Sequence, residues 1–446
     1  MLLACLLLLT ACSEETEEPQ APQPDFITLI DGETLVADRE GGDVMLRFLT
    51  NKEWTIELPV TQEHFNGVLE QRSGPAGEVS VAFAALPNTK GAARSTTLRI
   101  KAGRVSADVK VTQNAVEVDL PSEEELKARL MRLYHDTDGP NWRFQGRWGS
   151  DLPLSQWGSE VKYEKGLLSL NLLEHDLKGD IDLSGCTALV SIKCTKNQIR
   201  RLNLAGCTML TDVECVNTGL EEIDLTGCMS LRHLNVSYNS LSRIDVGWCM
   251  TLEDAYLQNC RLEALDLSDC VMLQTLNCSA NRLSALEIPH RYRLMDCFCY
   301  ENEIRRLDLS GAPMLQILNC GDNELEDLKV QGSPRLEWIY CYNNRLRELD
   351  IADKKDVLTH LYCFSNRLET LDVAGCRKLS ELHCSDNSLG ALDLTGCKSL
   401  RWLYCSYNRL ETLDFSGIDT SALERLDCSY NRLREADIAS LPMLLR

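Results

Sequence analysis

No run of apolar residues in these 446 approaches the roughly 20 that a membrane-spanning helix requires. Basic residues are scarce beside acidic ones, 46 against 67, for a formal charge of −21. A field of that sign repels phosphate backbones and anionic surfaces, which argues against nucleic acid and favours neutral or basic partners. Only seven histidines occur, and no nucleophile elbow, phosphate loop or metal-ligand spacing accompanies them. Catalysis, a cofactor and a resident metal are therefore not expected. Aromatic residues make up only 6%, so their placement is informative. Ordinary fractions of charged (25%) and hydrophobic (44%) residues indicate a folded chain, and its length exceeds what one core supports.

The apolar start, Leu2 to Leu9, is too short to span a bilayer and reads as a targeting segment. Its end, Leu9-Thr10-Ala11-Cys12, resembles the lipobox of bacterial lipoproteins. That resemblance implies a signal peptide over 1–11, cleavage before Cys12, and lipidation of that residue as the membrane contact. Several acyl chains on one cysteine give stable anchoring, at about 0.8 kcal/mol per buried methylene. The following Ser13-Glu14-Glu15-Thr16-Glu17-Glu18 resembles the acidic export signal of Bacteroidetes lipoproteins, which implies exposure on the outer membrane surface. One departure is the lack of Lys or Arg before Arg39. Residues 12–25, rich in Glu, Pro and Gln, read as a tether.

Residues 26–118 switch to short alternating segments: 44–48, 54–58, 79–83, 97–100 and 107–111. Gly41-Gly42, Gly74-Pro75, Pro87-Asn88 and Gly103 punctuate them, predicting a small β-sandwich. The segment resembles a BACON domain, a carbohydrate-associated module, through Gly41-Gly42, Asn51 to Trp54, Asn88 with Arg94, and the closing Val109 to Gln113. Trp54 is a candidate for sugar stacking, although a lone strand tryptophan more often serves a core; the bland reading of the domain is a spacer.

Residues 120–165 begin with a helix over 122–135, in which Ser122 and Glu125 form a capping box and Leu126, Leu130, Leu133 and Tyr134 an apolar stripe. With Asn141-Trp142, Trp148 and Trp157 the segment resembles the N-terminal cap of plant-type leucine-rich repeats. A first coil has no upstream neighbour and needs an apolar lid, so these tryptophans are assigned to the lid.

From 166 to 446 one pattern recurs: Leu-x-x-Leu-x-Cys-x-x-Asn-x-Leu-x-x-Leu-Asp-Leu-x-Gly-Cys. Its clearest copy runs from Leu379 through Cys384 and Asn387 to Cys397. The first strand leucine, or its substitute, falls at 170, 192, 213, 234, 255, 276, 297, 318, 339, 361, 382, 403 and 426. This period and signature resemble the leucine-rich-repeat family. The expected fold is mostly β, an N-terminal β-sandwich followed by a capped right-handed solenoid of about 13 repeats with a parallel concave sheet, spanning about 58 Å. Each coil stacks its leucines on its neighbours, and a column of asparagines from Asn197 to Asn431 satisfies turn backbone groups. His175, Thr218 and Cys260 replace it in three coils, predicting weaker ladders at the first two. The chain ends at Arg446 without an evident polar cap.

Of 21 cysteines, ten take the second strand position and seven the Gly-Cys position, places for a small buried apolar group. Equivalent cysteines on successive coils are separated by the strand spacing, wider than the roughly 3.8 Å that disulfide β-carbons favour. Mostly free, buried thiols are expected.

Strand residues alternating with Leu and Cys point out of the concave face. In the later coils they form an aromatic ribbon. One column is Trp338, His360, Glu381 and Trp402 with Arg425; the next is Tyr340, Tyr362, His383 and Tyr404 with Asp427. A third starts at Tyr342 and Phe364, with Phe298 and Tyr300 earlier and Tyr407 and Tyr430 at strand ends. Leu and Cys already fill the core, so this ribbon is the candidate ligand site. The bland alternative is that aromatics favour strands and pack on one another. His360, Glu381 and His383 would ligate a metal only by diagonal reach. The expected function is non-catalytic surface binding or adhesion toward a protein of a host or neighbouring cell. A glycan ligand is the rival and a passive envelope scaffold the third reading.

Overall fold

In a computed structural model, the described residues are 24–434 apart from 40, 59–66, 70, 89–91, 116–118, 144–145 and 290–291. The targeting segment, Cys12, the tether up to residue 23, and the C-terminal end from residue 435 lie outside them.

Two sheets build the N-terminal domain. One pairs Ile27–Leu29, Gly42–Thr50, Gly77–Ala85 and Gly67–Leu69; the other pairs Thr34–Ala37, Val105–Gln113, Arg94–Ala102, Trp54–Glu57 and Ser73–Gly74. Alternation drives the packing: in Val105–Gln113, Val109 and Val111 are fully buried while Asp108 and Lys110 face water. Trp54 belongs to this core, edge-on to Phe48 at 5.4 Å between ring centres. It is not a sugar platform.

The helix Glu123–Asp136 begins at the anticipated capping box, and Leu126, Leu130 and Leu133 close over the first coil. Trp142 and Trp157 are buried beside them, each indole N–H satisfied by a carbonyl, of Thr137 at 2.8 Å and Leu152 at 3.1 Å. Trp148 donates to Glu160 at 3.0 Å. A short antiparallel strand, Val161–Glu164, seals the exposed edge of the sheet, removing a row of unpaired backbone groups.

Beyond it thirteen strands run parallel in one sheet. Leu170, Ile192, Val213, Leu234, Ala255, Leu276, Cys297, Leu318, Ile339, Leu361, Leu382, Leu403 and Leu426 lie side by side. These are the residues named by the repeat period. A single core runs from the helix to the last coils.

The asparagine column works as its chemistry demands. The Asn344 amide donates to Cys320 O at 3.0 Å and Cys341 O at 3.1 Å, while its oxygen accepts from Leu325 N at 2.9 Å in the preceding coil. At the substituted positions, the Thr218 hydroxyl donates to Asn239 at 3.0 Å and the Cys260 thiol to Val236 O at 3.1 Å. In each of these coils the residue just before the asparagine adopts a left-handed conformation, as in Glu301 at φ 55° and Tyr407 at φ 53°.

The expectation of mostly free, buried thiols holds with one exception. Seventeen described cysteines are free, but Cys194 and Cys215 are joined in a disulfide with Cα atoms 4.9 Å apart. The spacing of parallel coils falls inside the 4.4–6.8 Å Cα window of a disulfide, so stacking alone does not forbid a bridge.

Candidate functional site

From Trp338–Tyr340 to Trp402–Tyr404 the central leucine or isoleucine is buried and its two neighbours are not, while in the last strand, Arg425–Asp427, Leu426 is itself only half-buried. Trp338, His360, Glu381, Trp402 and Arg425 are in register as one outward column, and Tyr340, Tyr362, His383, Tyr404 and Asp427 as the next. The period-2 geometry of strands thus gathers side chains more than 80 residues apart into one wall.

The rings are stacked on one another. Trp338 and His360 lie 4.1 Å apart with 26° between planes. In the second column Tyr340 meets Tyr362 at 4.8 Å, Tyr362 meets His383 at 4.1 Å, and His383 meets Tyr404 at 4.3 Å. Tyr342 and Phe364 stack at 4.8 Å, nearly coplanar in orientation at 4°. Gly321 makes this third column possible: a β-carbon there would lie 2.5 Å from the Tyr342 ring. Inner rings therefore have both faces covered and offer edges and polar tips. The alternative that aromatics pack across the ladder is realised here, and the packed ladder still faces outward.

Polar contacts lock the wall. The Tyr362 hydroxyl donates to Glu381, whose other oxygen lies 3.6 Å from His360 Nε2. Burial, then the Glu381 contact, pushes the Tyr362 phenol up. Burial lowers the His383 pKa despite the neighbouring Glu381 carboxylate. Arg425 places its guanidinium 4.5 Å from the Trp402 ring centre. Glu424 accepts from the Trp402 indole at 3.3 Å and pairs with Arg401.

Of the other expected residues, Phe298 occupies the second column, separated from Tyr340 by Asn319. It and Tyr300 make no ring contact among the described residues. Tyr407 stacks on Tyr430 at 4.2 Å, apart from the ladders. Glu424, which sequence reasoning passed over, sits one residue before its strand, in the same column as Arg401. Tyr256 was also left out; it stands in the second column between Asn235 and Asn277, flanked by Asp254 and Asp296. Burial and then Asp254 push the Asp296 carboxyl up, and His233 takes Asp254 at 2.8 Å. Among the described residues no group of three His, Cys, Asp or Glu side chains converges to hold a metal.

A model of the Leucine Rich Repeat family matches residues 230–252. An internalin from Listeria monocytogenes, InlF, is 19% identical, with 62% of this chain and 86% of that one aligned at a TM-score of 0.50. This protein folds as a leucine-rich-repeat solenoid. The functional domain of InlJ, also from Listeria monocytogenes and described as including a cysteine ladder, is 26% identical over 62% of this chain and 71% of that one, TM-score 0.49. YopM from Yersinia pestis, a leucine-rich effector protein, is 22% identical over 60% and 84%, TM-score 0.47. No curated protein sequence matches significantly. Leucine-rich-repeat solenoids are typically non-enzymatic binding scaffolds, and no catalytic family is indicated.

Proposed function

We propose that this chain is a non-catalytic cell-surface lipoprotein that recognises a protein partner through the aromatic wall of its concave sheet. Lipid on Cys12 would hold it at the outer membrane; radiolabelled palmitate incorporation that persists in Cys12→Ala rules that anchor out.

The observation that favours a protein over a glycan is the stacking itself. A sugar ring binds an aromatic side chain through an open face, and the inner rings of Tyr362 and His383 have both faces occupied by neighbouring rings. What remains outward is a row of ring edges and hydroxyls. Such pre-ordered tyrosine and tryptophan surfaces bind proteins with little entropy lost, each anchor contributing about 1–4 kcal/mol.

The test is a glycan array and a displayed library of extracellular protein domains, probed with wild type and with the double variant Trp338→Ala, Tyr362→Ala. Protein ligands weakened at least about 100-fold in the variant, two anchors' worth, are the expected result. A glycan signal lost in the variant makes the ligand a glycan, and binding indifferent to both changes leaves a scaffold.

A further inference from the structure

The sandwich and the solenoid meet through an apolar cluster that joins Ala84 and Leu86 to Val271 and Met272, with Met250 and Tyr292 packed against it. Both sides depart from their own local pattern. Along Gly77–Ala85 the outward positions Glu78 and Ser80 are exposed and Ala82 half-buried, yet Ala84, next in that row, is only 5% exposed. On the solenoid, the two residues after the Gly-Cys position form the flank where each coil climbs back to its strand. Pro334 and Arg335, Arg377 and Lys378, and Lys398 and Ser399 occupy that flank in water, whereas Val271 and Met272 are 3% and 4% exposed.

The sequence on this flank carries apolar residues from the first coils, Ala188, Met209 and Met229, through the middle ones. Met250, Val271-Met272, Tyr292 and Met314 give way to charged residues farther on. The opposing edge is held rigidly: the Leu86 carbonyl accepts from Arg94 Nη2 at 2.6 Å and from Gln113 Nε2 at 2.8 Å. The Leu86 side chain itself packs in the cluster with Val271 and Met272. The link between the domains follows the same flank, where Thr187, the residue after Cys186, donates to Asp119 O at 2.6 Å.

We propose that this flank is a dedicated docking surface for the chain's own sandwich. The N-terminal domain is then a side brace rather than a free spacer, and sandwich and coils move as one body. The concave wall is held in one orientation relative to the N-terminal segment.

The test is thermolysin cleavage of the full chain between residues 113 and 122, followed in wild type, Leu86→Glu, Met272→Glu and the charge-matched pair Leu86→Lys with Met272→Glu. Each single charge buried in the cluster is expected to accelerate cleavage at least ten-fold with the thermal unfolding of the solenoid unchanged, and the matched pair to return it toward wild type. Cleavage of both single variants at the wild-type rate overturns the docking. Acceleration that the matched pair fails to reverse traces the effect to local misfolding and overturns it as well.

Discussion

His383 stacks on Tyr362 with ring centres 4.1 Å apart and 17° between planes, and its Nε2 is shielded from solvent without a hydrogen-bond partner among the described residues. Burial disfavours the charged imidazolium there, so the folded pKa lies below the ordinary 6.5. The unfolded chain then holds more protons near that pH, and stability from this residue rises with pH. As pH falls through 6.5 toward the lower folded value, this contribution is lost. The melting temperature of wild type is expected to drop more between pH 8 and pH 5.5 than that of His383→Phe, by up to a few degrees. Equal drops in the two proteins would remove His383 from the account.

Asn344 is a second test of how the coils are held. Asn344→Ala strips partners from Leu325 N, Cys320 O and Cys341 O inside the turn. Buried groups left unpaired cost about 1–3 kcal/mol each before local relaxation. Urea unfolding should show a loss of about 2–4 kcal/mol, against under about 1 kcal/mol for an exposed surface change such as Arg335→Ala.

The thiols should be silent in the native state. Burial pushes Cys341 and Cys384 up to about 12 and Cys260 to about 11, leaving on the order of one thiolate in ten thousand at pH 8 for the first two. With Cys5 and Cys12 replaced by serine, a colorimetric thiol reagent should find almost none in the native protein. It should find seventeen after denaturation and nineteen after reduction, the difference being Cys194 and Cys215. Fewer than seventeen would mean that rungs of the column from Cys278 to Cys428 are bridged as well.

The register of the solenoid was readable because leucine at a constant period has one way to be buried: every strand leucine, or its substitute, named from spacing lies in register in the parallel sheet. The lid tryptophans were readable for the same reason, since a terminal coil must be covered. Other features leave no pattern. The left-handed turn residues are Lys196, Ala280, Glu301, Tyr407 and others of no shared type, because the asparagine that follows supplies the bonds holding the turn. Lys354 takes a cysteine position and is fully buried, which only its bonds to Val330 O at 2.8 Å and Asp353 at 2.6 Å explain. The alternation that sets the aromatic side chains apart from the leucine core was legible, but whether the rings are open or stacked depends on side-chain rotation, which spacing does not encode. The docked flank was hidden because its apolar residues look like single interruptions until coils are superposed.

The most direct test titrates a protein ligand from the displayed library against three single variants by calorimetry. Trp338→Ala and Tyr362→Ala remove ladder rings; Tyr238→Ala removes an equally plain tyrosine, 55% exposed on an earlier turn and outside every stack. Losses of at least about ten-fold for each ladder variant, with Tyr238→Ala within two-fold of wild type, are the predicted result. Equal effects at all three positions, or a loss confined to Tyr238→Ala, would contradict a binding role for the stacked wall.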